Sequence, residues 1–379
     1  MIFLPDLEQA VSVAPDRELA RAALSRLWQR DESRASLEDP AVVHNVVPLL
    51  GFSRAAADFF GAHPEELKSL ADLRERPVDE LLLEAGGDVE RLGAAAGLRR
   101  FRRRAGYRVA ARDLAGAAVD DVIAEISSIA EACLSVALDA TRGAAGLAVI
   151  GMGKLGGREL NYSSDVDVLF VHETAGSEAQ ERGSRAAADA IALLSEPTAD
   201  GVALRVDADL RPEGRAGPLS RSLDSMVDYY GRHAATWERQ ALLKGRPVAG
   251  DLALGEAFVA AITPFVYPAI LPASAIEDVR ATKGRIEERV RSLGKEVVEV
   301  KRGRGGIRDI EFAVQLLQLV HGKRDERLRD PNTLGALLAL ADQGFVRMAD
   351  ADTLADSYRF LRRLEHRLQL VRDLQTHEL

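Results

Sequence analysis

The stretch Leu147-Ala-Val-Ile-Gly-Met-Gly-Lys-Leu-Gly-Gly-Arg-Glu-Leu-Asn-Tyr-Ser-Ser-Asp-Val-Asp-Val-Leu-Phe-Val171 decides the fold. An apolar run, Leu147 to Ile150, ends in a turn holding Gly151, Gly153, Gly156 and Gly157. A second β-like run, Val166 to Val171, follows after a polar linker. The pattern predicts strand, glycine-rich turn, strand. Asp165 and Asp167 stand two apart, so a period-two strand points both carboxylates to one face while Val166 and Val168 enter the core.

Downstream, Val202, Leu204, Val206, Ala208 and Leu210 alternate with Arg205, Asp207, Asp209 and Arg211, which predicts a third strand with one apolar and one charged face. If it neighbours the second strand, three or four carboxylates converge. At about 4 Å and an effective dielectric near 20, each like-charge pair costs on the order of 4 kcal/mol, so such a cluster needs cations. Carboxylates with phosphate oxygens and water are the usual Mg²⁺ environment, and a second ion would clamp attacking and leaving oxygens. The glycine turn lets backbone approach phosphates, and Lys154 adds a point charge. No Ser or Thr follows Lys154, so the turn is not a Walker loop, and its glycine spacing does not fit the dinucleotide fingerprint.

Around this core the texture is helical. From Asp6 to about Ala140, apolar residues recur every three or four positions between Gly and Pro breaks. Glu178 to Leu194 is an Ala-rich helix, and after Asp251 helices run to the end, with Ile307, Ile310, Val314 and Leu317 and then Leu354, Tyr358, Leu361, Leu364, Leu368 and Val371 in helical register. The reading is α+β: an N-terminal helical segment (1–120), a mixed-sheet core (121–252) and a C-terminal helical bundle (253–379). Arg99, Arg100, Arg102, Arg103, Arg104, Arg108 and Arg112 read as a solvated helix face paired with acids elsewhere, the alternative being a contact for phosphate or an acidic protein. Tyr229, Tyr230 and Trp237 read as packing residues, with adenine stacking as the alternative, and His233 and His366 as structural.

The chain has 379 residues, 50 basic and 59 acidic, for a formal charge of −9, with 47% hydrophobic residues. That is enough for two or three folded domains, and the acidic balance disfavours nucleic acid as a partner. A single cysteine, Cys133, and seven scattered histidines exclude an internal disulfide and a Cys/His metal site, and fit a reducing cytoplasm. The acidic start around Asp6 and Glu8 is no signal peptide, and no run reaches the length of a membrane span. The chain stops at Leu379 without a capping or breaking residue, which reads as a truncated chain or one half of something longer.

The order strand, glycine turn, Asp-x-Asp strand and a further strand Asp some 40 residues on resembles the nucleotidyltransferase fold of the polymerase-beta-like enzymes. The resemblance sharpens to the glutamine synthetase adenylyltransferase family. It is carried by Gly151 to Phe170, by Arg205-Val-Asp-Ala-Asp-Leu-Arg-Pro-Glu-Gly214, by Thr236-Trp-Glu-Arg-Gln-Ala-Leu-Leu-Lys-Gly-Arg-Pro-Val-Ala-Gly-Asp251 and by Gly305-Gly-Ile-Arg-Asp-Ile-Glu-Phe312. Residues 1 to about 100 match it less clearly. Members are usually tandem, with an adenylyl-removing half followed by an adenylyl-transferring half. Asn161, the wording Gly306-Ile-Arg-Asp-Ile-Glu311 and the ending Leu361 to His377 resemble the first copy, and the Leu- and Arg-rich composition resembles actinobacterial members.

The resemblance implies that Asp165, Asp167 and Asp207 are the catalytic and metal-binding carboxylates for Mg²⁺ or Mn²⁺, two ions in all. Asp209 departs from the family pattern and becomes, with Glu238, Asp309 and Glu311, a candidate for an outer role around them. Gly153, Lys154, Ser164, Arg211, Lys244 and Arg246 are the candidate nucleotide and phosphate contacts. For Arg211, Arg215, Lys244 and Arg246 the alternative is structural ion pairing with Glu238 or Glu213. The implied reaction is phosphorolysis of adenylyl-tyrosine on glutamine synthetase, releasing ADP, with a PII-type signal protein as a further implied partner. ATP-dependent adenylylation, or a non-catalytic module docking glutamine synthetase or PII, are the alternatives.

Overall fold

A computed structural model describes residues 10–12, 14–295, 298–372 and 378. Of the N-terminal helices α1 (Arg17–Trp28), α2 (Asp31–Leu37), α3 (Pro40–Leu50) and α4 (Arg54–Ala62), α1, α3 and α4 start at Asp and Ser caps. Asp16 accepts from the Leu19 N–H and Ser53 from Ala56, while Pro40 opens α3 at a position where its missing N–H is harmless. Their apolar faces form a separate core around Leu24, Val46, Val47, Phe59 and Phe60.

Helices α5 (Val78–Leu92), α6 (Ala94–Leu114) and α7 (Val119–Asp139) then lead into the sheet. Its strands are β1 (Leu147–Gly151), β2 (Val166–His172), β3 (Val206–Asp207), β4 (Ser220–Ser222) and β5 (Arg246–Gly250). The order is β3-β2-β1-β5, with β4 also pairing β2. β1 lies antiparallel to β2 and β5, whereas β3 and β4 lie parallel to β2. The β1–β5 register slips between Val149 and Ile150, where Pro247 has no N–H to give the ladder.

Alternation along the central strands divides two cores. Val149, Val166, Val168 and Phe170 pack with α5, α6, α7 and α9 (Ser177–Ser195), through residues such as Leu98, Phe101, Ile126 and Ala187. Ala148, Ile150, Leu169 and Val171 pack on the other face with α10 (Leu223–Arg232), α11 (Thr236–Leu242) and α12 (Leu252–Val266), through Met226, Leu242 and Phe258. Helices on both sides of positions 120 and 252 share these cores with the sheet. After α13 (Ala273–Ser292), helices α14 (Ile307–His321), α15 (Thr333–Asp342) and α16 (Met348–Arg372) complete the chain, and α16 returns to the glycine turn.

Two expectations change. The third strand is β3 alone, not the whole alternating run. Before it, the Ala203 and Leu204 N–H groups bond the Leu194 carbonyl at the end of α9; after it, the chain turns at once, with Arg211 N–H on the Ala208 carbonyl. Asp209 is therefore not on the strand. The arginine-rich α6 is also not a solvated face. Arg99 and Arg108 are buried; Arg99 donates to the Ala95, Leu193, Glu196 and Gly201 carbonyls, and Arg108 pairs Glu84. Arg104 pairs Glu66, Glu84 and Asp88, and Arg112 pairs Glu75 and Glu125. The expected pairing with acids elsewhere holds: Glu66, Glu84 and Asp88 precede the helix, Glu125 follows it, and Glu75 lies in the linker before Val78.

Candidate active site

β1 is followed by Met152, whose N–H donates to the Asp167 carbonyl at 2.8 Å, so the turn is anchored on β2. A short helix, α8 (Gly153–Gly156), follows. Gly153 has φ +50, and a Cβ there would come within 2.6 Å of the Asp167 carboxylate. At Gly156 a Cβ would meet the Lys244 carbonyl at 1.7 Å. Only glycine permits these two approaches.

Asp167 and Asp207 are directly in register on parallel strands. Burial, then the neighbouring Asp207 charge, pushes the Asp167 carboxyl up to about 7, with Lys301 and Lys154 opposing. Asp207 accepts from the Asp209 N–H at 2.8 Å. Asp165 is set differently: its carboxylate, 41% exposed, accepts from Arg205 Nε at 2.8 Å. Among the described residues no three acids or histidines already stand together as a metal-ligand group. The donor chemistry nevertheless fits a divalent cation, since Asp167 and Asp207 repel across the ladder and a cation would relieve that repulsion.

Asp167 opens into a cleft of about 340 Å³, lined also by Gly153, Lys154, Trp237, Gln240, Lys301, Arg308, Glu311 and Phe312. Lys154, with 13% of its side chain exposed, lies 3.3 Å from Glu365, and burial brings its ammonium down to about 8 against the pull of that acid. Burial favours the neutral form of Glu311, but Lys244, Lys154, Lys301 and Arg362 outweigh it and hold the carboxyl below its ordinary range. The cleft thus presents Asp167 on its strand side and Lys154, Lys301 and Arg308 on its turn and helix sides, with Glu311 held among these cations.

Several candidates stand elsewhere. Lys244 lies at the cleft edge, but its Nζ is committed to Glu159 and to Thr333 Oγ1. Arg246 points to the far side of the turn, to the Gly156 and Leu155 carbonyls and Glu131. Arg211 is buried on the Ala208 and Gly217 carbonyls, with Asp209 at 3.5 Å, and Arg215 pairs with Asp209. In this arrangement Arg211 and Arg246 donate to loop carbonyls and acids, and the exposed Arg215 pairs with Asp209. Ser164 Oγ accepts from the Asn161 N–H and holds the bend before Asp165. Glu238 accepts from the Ala235 N–H and caps α11; Asp309 accepts from the Gly305 N–H and pairs Lys283. Neither is a ligand in this arrangement. Tyr230 packs in the core as expected, but Trp237 is 47% exposed in the cleft. Lys301 and Arg308 were not singled out, although the basic, glycine-rich Lys301-Arg-Gly-Arg-Gly-Gly306 before a helix was a signal for them. Of the Leu361 to His377 ending, residues 373–377 lie outside the described residues.

The Asp167 shift gives a prediction for the metal-free chain. The folded carboxyl holds its proton to about pH 7 and the unfolded one only to about 3.8, so its stabilising contribution is full below pH 4 and is lost as pH rises to 7. Thermal melts with chelator should therefore show wild type losing on the order of 2 to 4 kcal/mol relative to Asp167→Asn over that window. Parallel pH profiles would contradict it.

A mixed sheet that holds a glycine turn over aspartates on adjacent strands, beside a cationic cleft, defines the nucleotidyltransferase class. Residues 43–261 match the glutamate-ammonia ligase adenylyltransferase family, and residues 280–379 match the PII-uridylyltransferase family. The chain belongs to the glutamate-ammonia ligase adenylyltransferase family. Similar proteins named bifunctional glutamine synthetase adenylyltransferase/adenylyl-removing enzyme occur in Streptomyces avermitilis (42% identity, 98% of this chain, 39% of the relative) and Mycolicibacterium smegmatis (42%, 99% and 40%). The chain spans about 40% of the length of these curated relatives.

Proposed function

We propose that this chain removes adenylyl groups from glutamine synthetase by phosphorolysis. The observation that carries a nucleotidyl-transfer reading is the in-register Asp167–Asp207 pair at a cleft bearing Lys154 and Lys301. Asp167 and Asp207, joined by Asp165 once it leaves Arg205, would hold Mg²⁺ or Mn²⁺. When bound, the metal supplies charge neutralisation at the phosphoryl oxygens. Lys154 and Lys301 face the phosphates, and the exposed Trp237 ring offers a stacking surface for adenine.

In the proposed reaction an oxygen of inorganic phosphate bonds to the α-phosphorus, the bond to the tyrosyl oxygen breaks, and the phenolate takes a proton. The products are ADP and the unmodified tyrosyl side chain of glutamine synthetase. Phosphate is already an anionic nucleophile, so no general base is required, and a phenol with pKa near 10 is a manageable leaving group. The direction is supported by the first-copy features Asn161 and Gly306 to Glu311. Asn161 Oδ1 accepts from Arg362, so one marker segment contacts another directly. Because the PII-uridylyltransferase match covers 280–379, a PII-type protein is a proposed partner of the C-terminal helices.

The test supplies adenylylated glutamine synthetase with Mg²⁺ and phosphate, and separately unmodified enzyme with ATP. Phosphate-dependent ADP release supports the proposal, whereas transfer of label from ATP to tyrosine without phosphorolysis overturns the direction. If Trp237 stacks on adenine, Trp237→Ala raises KM for the adenylylated substrate about tenfold, with kcat changed far less. An unchanged KM would remove Trp237 from the adenine site.

A further inference from the structure

A second cavity, of about 190 Å³, lies behind Asp165 between α6, the Tyr162–Ser164 turn, the Val202–Arg205 segment and α16. Arg102, Arg103 and Arg205 line it, and among the described residues no acidic one does. Two glycines make room for the first two. A Cβ at Gly106 would lie 2.5 Å from Arg102 Nη1, and one at Gly201 would lie 2.9 Å from Arg103 Nη2. Arg102 donates to the Tyr162 carbonyl, whereas Arg103 has no hydrogen-bond or ion-pair partner among the described residues. Gln369, 1% exposed, gives its Oε1 to the Ser163 N–H, which leaves its Nε2 donor unsatisfied among the described residues. The unpartnered Arg103 guanidinium and the unpaired Gln369 amide donor, beside Arg205 and with no acid among the described lining residues, suit an acceptor ligand carrying negative charge. The volume is below that of sites for drug-sized molecules and suits a phosphate-sized ligand better than a whole nucleotide.

We infer that this cavity binds a phosphate-sized oxyanion and that Arg205 couples its occupancy to cation binding at Asp165. Arg205 donates from Nε to Asp165 and from Nη2 to the Ser163 carbonyl while lining the cavity. An oxyanion competes with Asp165 for the Arg205 charge, and a cation on Asp165 releases Arg205 toward the oxyanion. The coupling is therefore positive and reciprocal. It holds for either direction of adenylyl transfer, because it concerns binding alone.

The test is calorimetric titration of the full chain with inorganic phosphate, with and without Mn²⁺. Arg103→Gln is expected to weaken phosphate binding about tenfold, while Lys301→Gln, in the other cleft, leaves that component in place. Saturating phosphate should tighten Mn²⁺ binding several-fold in wild type and not in Arg103→Gln. Arg205→Lys, a point charge unable to bridge both partners, should keep most of the phosphate affinity and lose the coupling. Sulfate should substitute for phosphate, and AMP affinity should be insensitive to Arg103→Gln. Phosphate binding lost in Lys301→Gln and unchanged in Arg103→Gln would place the oxyanion in the other cleft and overturn the site. AMP binding that depends on Arg103 would overturn the phosphate-sized ligand, and Mn²⁺ affinity indifferent to phosphate would overturn the coupling.

Discussion

Asp167→Asn is expected to lower turnover by at least about a thousandfold while leaving the melting temperature at pH 7 unchanged or raised. The loss follows from taking a charged donor from the place where phosphoryl charge develops, an effect of several kcal/mol in a partly desolvated cleft. The unusual part is the stability. Asp167 is pushed up to about 7 by burial and by Asp207, so the folded chain gains nothing from its charge. Asp207→Asn should lower turnover comparably. Measured kcat with adenylylated glutamine synthetase, beside thermal melts, checks both halves. An Asp167→Asn protein retaining a tenth of wild-type turnover would exclude Asp167 from the catalytic centre.

The second large effect belongs to Glu159, which is fully buried and does no chemistry in the proposed reaction. Its carboxylate accepts from Lys244 Nζ and from the Thr333 N–H, and its carbonyl from Arg362. It thereby joins the end of the glycine turn to β5, α15 and α16. Glu159→Gln leaves a buried ammonium without its counter-charge, and breaking such a pair typically costs about 3 to 5 kcal/mol. Denaturant titration should show this loss, and the double variant Glu159→Gln/Lys244→Met should recover most of it. A single variant within about 1 kcal/mol of wild type would show that Lys244 finds another partner, such as Glu311, whose carboxyl its charge already helps hold low.

What the sequence made legible was local. Val166, Asp167 and Val168 alternate and run into the apolar stretch Leu169 to Val171, so β2 followed from its apolar, β-branched run and the orientation of Asp167 from period two. The glycine turn followed from glycines where the backbone closes on Asp167 and Lys244. The run from Val202 to Leu210 alternates equally well, yet only Val206 and Asp207 pair, because the flanking backbone groups bond the end of α9 and a turn. Periodicity cannot show where a ladder partner runs out. The arginines of α6 looked solvated because their partners, Glu66, Glu84 and Glu125, come from other helices. Lys301 stayed hidden, and Trp237 read first as a packing residue, for the same reason: the elements carrying them meet Asp167 only in three dimensions.

One face of α16, formed by Arg362, Glu365, His366 and Gln369, holds Asn161, Lys154, Asp113 and Ser163 respectively. These contacts bridge more than 200 residues of chain, from Lys154 to Glu365 and from Ser163 to Gln369. During synthesis the sheet and its glycine turn emerge long before the helix that fixes them. Contacts of such separation are slow to close. The centre therefore matures late: a nascent chain ending before residue 360 can own the whole sheet, with both strand aspartates in register, and still lack the clamp on Lys154. Competence to react is thereby tied to completion of the C-terminal helix.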